Sequence, residues 1–207
     1  MHLFRPVGLE ELRLVYEAGM RAFPPRLPDQ PIFYPVLNED YAVQIARDWN
    51  TKTGTRAGFV TRFDVDDEYA GRFERRVVGR RDHEELWVPA EELDTFNAHI
   101  RHRIVVTKAF FGDDYEGVVP DGFGLRGKGA HQQLVALKKT LAYSGMDFIL
   151  EIGANHLAVF LNFLFWEARD FAADAIDGAE QARVLDAVRK VWSEGEHAAI
   201  PLGTSGG

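Results

Sequence analysis

Five of the chain's nine prolines, Pro24, Pro25, Pro28, Pro31 and Pro35, fall within one short stretch. Each fixes φ near about −65° and removes a backbone donor, so neither a helix nor a central strand can run through the segment. The segment is therefore a stiff, constrained loop within the first half of the chain. The loop and its approach carry Arg21, Phe23, Arg26, Phe33 and Tyr34. Cations beside aromatic plates are what a nucleotide pocket needs, and they are equally what a proline-braced turn over a core would show.

Ahead of the prolines, His2 to Val7 is a strand candidate, followed by a helix in which Leu9, Leu12, Val15 and Tyr16 recur at helical spacing up to Gly19. Behind them, Asn38 is placed to cap a helix whose apolar stripe is Tyr41, Ala42, Ile45, Ala46 and Trp49. Residues 57 to 65 and 73 to 78 alternate as strands. Between them Asp64, Asp66, Asp67 and Glu68 lack the glycine of a calcium loop and read as a solvated turn. A helical turn at 90 to 96 and a strand at 104 to 110 complete this half.

The stretch His83-Glu84-Glu85-Leu86-Trp87-Val88-Pro89 has strand alternation, with Leu86 and Val88 on one face and Glu85 and Trp87 on the other. Glu85 then has an aromatic neighbour and partial burial, the setting that makes a carboxylate chemically useful; a solvated strand edge has the same pattern. Arg72, Arg75, Arg76, Arg80 and Arg81 precede it, either as a solvated face or as a patch for an acidic or phosphate-bearing partner.

Bulk composition narrows the classes. A net charge of −8 argues against general nucleic-acid binding. The absence of cysteine excludes disulfides and thiolate metal sites and suits a reducing, cytoplasmic setting. The start, Met1 to Pro6, has no apolar signal region and the apolar run 157 to 165 is too short to span a bilayer, so neither secretion nor a membrane partner is expected. No metal is expected either.

Phe33-Tyr34-Pro35-Val36-Leu37-Asn38-Glu39-Asp40-Tyr41-Ala42 resembles the strand-and-helix segment of ADP-ribosyltransferases of the diphtheria toxin type, where a tyrosine leaves a strand and the next helix supplies a second aromatic for nicotinamide. The Glu85 stretch is similar to the late strand that carries the catalytic glutamate of that superfamily, and Arg5 stands where an early strand places an NAD-bracing arginine or histidine. Small bacterial proteins labelled as ADP-ribosylation related belong to the same resemblance. It covers about residues 1–110. His83 departs from the Glu or Gln found two positions before the glutamate in many transferases, and the Ser-Thr-Ser strand of one subclass is missing.

The resemblance implies an α+β fold: an ADP-ribosyltransferase-like split β-sheet domain over residues 1–111 and a mainly helical accessory domain over 112–207. It further implies a mono-ADP-ribosyltransferase that uses NAD as substrate and modifies a macromolecular acceptor, protein or nucleic acid. Glu85 would stabilise an oxocarbenium-like transition state, as in glycoside cleavage. Arg5, with Arg21 or Arg26, would neutralise the diphosphate; Tyr34 would stack on nicotinamide, with Tyr41 or Trp49 as the second ring; His83 would face the acceptor. Arg5, Tyr34 and Glu85 are then expected to line one cleft. An NAD glycohydrolase and a catalytically inactive binding module on the same fold are the alternatives.

The second half differs in kind. Gly122-Phe123-Gly124-Leu125-Arg126-Gly127 is a literal dinucleotide fingerprint with Asp147 twenty residues on, but Pro120 breaks the strand that should precede it and 142 to 145 reads as a helix end, which argues against a Rossmann site. Residues 130 to 144 and 184 to 192 stripe as helices. The aromatic-rich 148 to 171 reads as core or as a partner surface, His131, His156 and His197 have no ligand spacing, and the 203 to 207 tail reads as loose.

Overall fold

The computed structural model describes residues 1–79 and 83–203; Arg80, Arg81 and the tail beyond Gly203 lie outside them. The chain forms two compact units, residues 1–113 and 114 onward. The first is mixed α+β with two small antiparallel sheets, and the second is helical.

In the first unit, β1 (His2–Val7) pairs with β3 (Ala57–Asp64), which pairs with β6 (Val105–Phe111). A second sheet runs β2 (Ile32–Phe33), β5 (Glu84–Pro89) and β4 (Glu74–Val77). The two are joined by one residue beyond the end of β2. Val36 bridges Phe4 on one side and Glu85 on the other. Backbone bonds fix the junction: Phe4 N to Val36 O at 2.9 Å, Val36 N to Phe4 O at 2.8 Å, Leu37 N to Glu84 O at 3.0 Å and Leu86 N to Pro35 O at 2.8 Å. Proline is tolerated at position 35 because the junction asks only for its carbonyl.

Residues paired across a ladder share a face, so Phe4, Val36 and Glu85 do. Helix α2 (Glu39–Asp48) covers that face with Tyr41, Ala42 and Ala46, against Val36, Val60 and Phe4. Asn38 caps it as the sequence predicts, its Oδ1 accepting from Asp40 N at 2.8 Å and Tyr41 N at 3.3 Å. On the opposite face Phe23, Phe33, Phe63 and Phe96 pack ring on ring with Leu86 and Val88 buried beneath, closed by α1 (Leu9–Glu17) and α4 (Leu93–Ala98). Asp66 caps the one-turn helix α3 (Asp67–Ala70), which is what the acidic turn does here.

The second unit contains α5 (Ala130–Tyr143), α6 (Gly145–Ala154), α7 (His156–Ala168) and α8 (Gly178–Glu194). Helix α7 is buried along Ala158 to Trp166 and forms the centre. Its Asn162 is fully buried and fully bonded, donating to Val118 O and Gln133 Oε1 and accepting from Tyr115 Oη and Val118 N. No single helix among the described residues is long and apolar enough to cross a membrane; α6 and α7 reach that measure only jointly, across a 102° bend.

The contact of α2 on β3 is closest at Gly58. A Cβ there would lie 2.6 Å from the Ala46 carbonyl carbon and 2.8 Å from its Cα. Gly58→Ala must push the helix away from the sheet, and overpacking of this kind costs about 1–3 kcal/mol. A urea titration is expected to show the loss; an unchanged midpoint would mean that the helix slides without cost.

Candidate functional site

The alternation of β5 places Glu85 and Trp87 on one face, half-buried, while Leu86 and Val88 enter the core. The Glu85 carboxylate is gripped at both oxygens: Tyr41 Oη donates to Oε1 at 3.0 Å and Trp87 Nε1 donates to Oε2 at 3.1 Å. A carboxylate oxygen can accept two hydrogen bonds, so each retains accepting capacity for a ligand. The group is oriented without being used up.

Tyr41 reaches Glu85 because the Asn38 cap starts α2 directly after Leu37, whose N–H is bonded to the Glu84 carbonyl of β5. Burial, then the bond to Glu85 and its negative charge, pushes the phenol up to about 12. It therefore stays a donor throughout the physiological range. One flat side of Tyr41 is taken by His83, stacked at 4.0 Å between ring centres and 8° from parallel.

Tyr34 meets Trp87 edge-on at 5.3 Å, and Arg76 of β4 lies over the Trp87 ring at 3.7 Å. A guanidinium in contact with an indole face is a favourable cation–π arrangement. Tyr34 is also within electrostatic reach of both Arg26 and Arg76. It stands where β2 has ended and the two sheets part.

Arg5 corrects the expectation of a single cleft. It follows Phe4, so strand alternation sends it to the face opposite Glu85. There it lies over Phe33 at 4.6 Å and binds Glu11 through Nε at 2.6 Å and through its terminal nitrogen at 3.3 Å. Its other terminal nitrogen donates to the Tyr34 carbonyl at 3.1 Å. Arg5 thus fixes the backbone of Tyr34 and touches the Glu85 face only through that residue.

Arg26 approaches the same Glu11 at 4.0 Å and also donates to Gln30. Burial and the neighbouring charge of Arg5 pull its guanidinium below the usual arginine range. Its buried Nε has no hydrogen-bond partner. Two arginines beside one carboxylate leave surplus positive charge next to Tyr34, which favours an anion.

The remaining residues are placed elsewhere. Arg21 is exposed in the turn after α1, with no hydrogen bond or ion pair to other described residues. Trp49 is not in the apolar stripe of α2: it is the C-cap, turned into solvent, about 12 Å along the axis from Tyr41. Of the two expected second rings, only Tyr41 is brought to the site. Glu84 leaves the other side of β5 and lies 3.8 Å from Arg75. Trp87, now a direct partner of Glu85, was visible in the sequence only as its neighbour on the same strand face. Glu11 carried no signal, because an acid in the first turn of a helix is ordinary.

The glycine loop of the second unit holds an internal anion. Gly124 N and Leu125 N donate to Glu151 at 3.0 and 2.8 Å, and Asn155 Nδ2 donates to it at 2.9 Å. No strand precedes Gly122, and a carboxylate of the chain itself occupies the donors that a diphosphate would need. Among the described residues there is no cluster of three or more His, Asp or Glu able to hold a metal ion.

No protein-family model, curated protein or solved structure matches this chain.

The burial of Tyr41 and its bond to Glu85 give a pH signature. The unfolded phenol titrates near about 10, the folded one at about 12, so between these values the folded state holds the additional proton and stability falls as pH rises. The contribution is complete below pH 10 and lost through pH 12. Tyr41→Phe is expected to flatten the decline of the urea midpoint across that window, leaving the share due to Tyr16, Tyr69 and Tyr115, which burial also raises. Identical slopes in the two proteins would show that Tyr41 does not titrate late.

Proposed function

We propose that the first unit is an NAD-dependent ADP-ribosyltransferase in which Glu85 acts on the nicotinamide–ribose bond. The observation that carries this reading is the Glu85 carboxylate, held by Tyr41 and Trp87 beside the Tyr34 ring. Breaking the glycosidic bond builds positive charge on the ribose, and a carboxylate already oriented opposes that charge without reorganising. The aromatic corner of Tyr34 and Trp87 suits a flat, cationic nicotinamide ring. Arg26, next to Arg5 and within electrostatic reach of Tyr34, would supply positive charge for the diphosphate, and Arg5 acts at one remove by holding the Tyr34 carbonyl. The two small antiparallel sheets joined at Val36 support the split β-sheet that the ADP-ribosyltransferase resemblance implies, and the acceptor would be an unidentified macromolecule.

His83 favours a second reading. Its ring covers one side of Tyr41, the surface that a second stacking ring would offer nicotinamide. On that reading the site binds NAD or a partner without turnover, and water in place of a macromolecular acceptor gives the glycohydrolase form.

Incubation with NAD labelled in the nicotinamide ring separates turnover from binding alone. Release of nicotinamide by the wild type, reduced on the order of 10²- to 10³-fold in Glu85→Gln, is the expected result. Release that ignores the substitution would remove Glu85 from the mechanism, and binding without release would establish the inactive module.

A further inference from the structure

Helix α6 is apolar on two sides. Phe148 and Ile152 are buried inside the second unit, whereas Met146, Ile149 and Leu150 each keep more than half of their surface exposed. These three and Gly153 stand at i, i+3, i+4 and i+7, the spacing of a helix face built for burial. A Cβ on Gly153 would meet nothing within 4 Å, so another backbone can approach closely there. Phe123, from the glycine loop, is also exposed, and its φ of 54° is a left-handed conformation that a bulky residue adopts only when its surroundings impose it. The bonds of Glu151 to the two residues after Phe123 supply that constraint.

Together α6, Phe123 and the end of α8 form a groove of about 580 Å³. Trp192 and His197 form part of its wall, with His197 stacked on His156 at 4.0 Å. The charged residues lining it are Glu194 and Glu196; no lysine or arginine is among them. Both glutamates are exposed, and neither forms an ion pair with another described residue. The second unit carries 8 Lys and Arg against 13 Asp and Glu through Gly203, so its wider field has the same sign.

We infer that this groove docks an amphipathic helix of a partner protein that presents apolar residues at i, i+3, i+4 and i+7 between lysine or arginine flanks. Helix in groove is a recurrent recognition mode, and α6, about 15 Å long, offers room for two to three turns. The charge selects among occupants. A basic helix finds complementary carboxylates at the rim, whereas a second copy would set Glu194 and Glu196 near their own images and an anionic membrane would be repelled. This inference is independent of the chemistry at Glu85.

The test uses the full chain and a fluorescent synthetic helical peptide of leucine and lysine, with leucines at i, i+3, i+4 and i+7, read by anisotropy at physiological salt. A control peptide has glutamate for every lysine. Saturable binding of the lysine peptide alone is expected, weakened about tenfold or more by Leu150→Asp and separately by Glu194→Lys with Glu196→Lys. All three substituted positions are exposed, and thermal melts confirm that the variants fold. Equal binding of both peptides, no binding, or binding that ignores the substitutions would overturn the inference. So would a dimer in sedimentation that Leu150→Asp dissolves, or co-sedimentation with phosphatidylglycerol vesicles.

Discussion

The first unit depends on a single rung of backbone pairing. Val36 is the only residue that connects β1 to β5 among the described bridges, and the two sheets would otherwise share no ladder. That rung sets three things together. It fixes Glu85 relative to α2, and so allows Tyr41 to reach it. It ends β2 at Phe33, so that Tyr34 emerges where the sheets part. It also separates Arg5 from Glu85, because neighbours along β1 face opposite ways. The proline-rich segment before it acts through the same point, delivering the chain to the junction with little freedom left to lose.

How the buried polar groups are satisfied differs between the units. In the second unit Asn162, Gln133 and Glu151 are buried and bonded to the chain itself, and their partners are chiefly backbone groups of the segment from Val118 to Lys128. Such groups hold a loop in place. In the first unit the Glu85 carboxylate beside Tyr34 and Trp87 retains capacity, since both of its oxygens can accept again. Unused capacity in a partly buried setting distinguishes a place where a ligand can bind from a place where the fold is only being held.

Much of this was legible in the sequence, and what was not has a common cause. The faces of β5 follow from alternation, the start of α2 from the Asn38 cap, and the failure of the glycine fingerprint from Pro120. Each of these is a property of one segment. The position of Arg5 relative to Glu85 depends on the register between segments, which alternation within either strand leaves undetermined. Trp49 misled for a related reason. It continues the helical spacing of Tyr41 and Ala42, but the helix stops at Asp48 and the next residue turns outward. Of the aromatics of the proline-rich loop, Phe23 and Phe33 are core, while Tyr34 stands half-buried at the junction against Trp87.

On the function proposed above, Glu85, Trp87, Tyr41 and Tyr34 form one site that receives NAD. The indole N–H of Trp87, which donates to Glu85, is its most direct reporter. In a proton–nitrogen correlation spectrum, with Trp87→Phe used to assign the signal among the chain's four tryptophans, NAD should shift the Trp87 indole resonance saturably and leave those of Trp166 and Trp192 in place. A spectrum in which NAD leaves the Trp87 resonance unmoved would contradict the account.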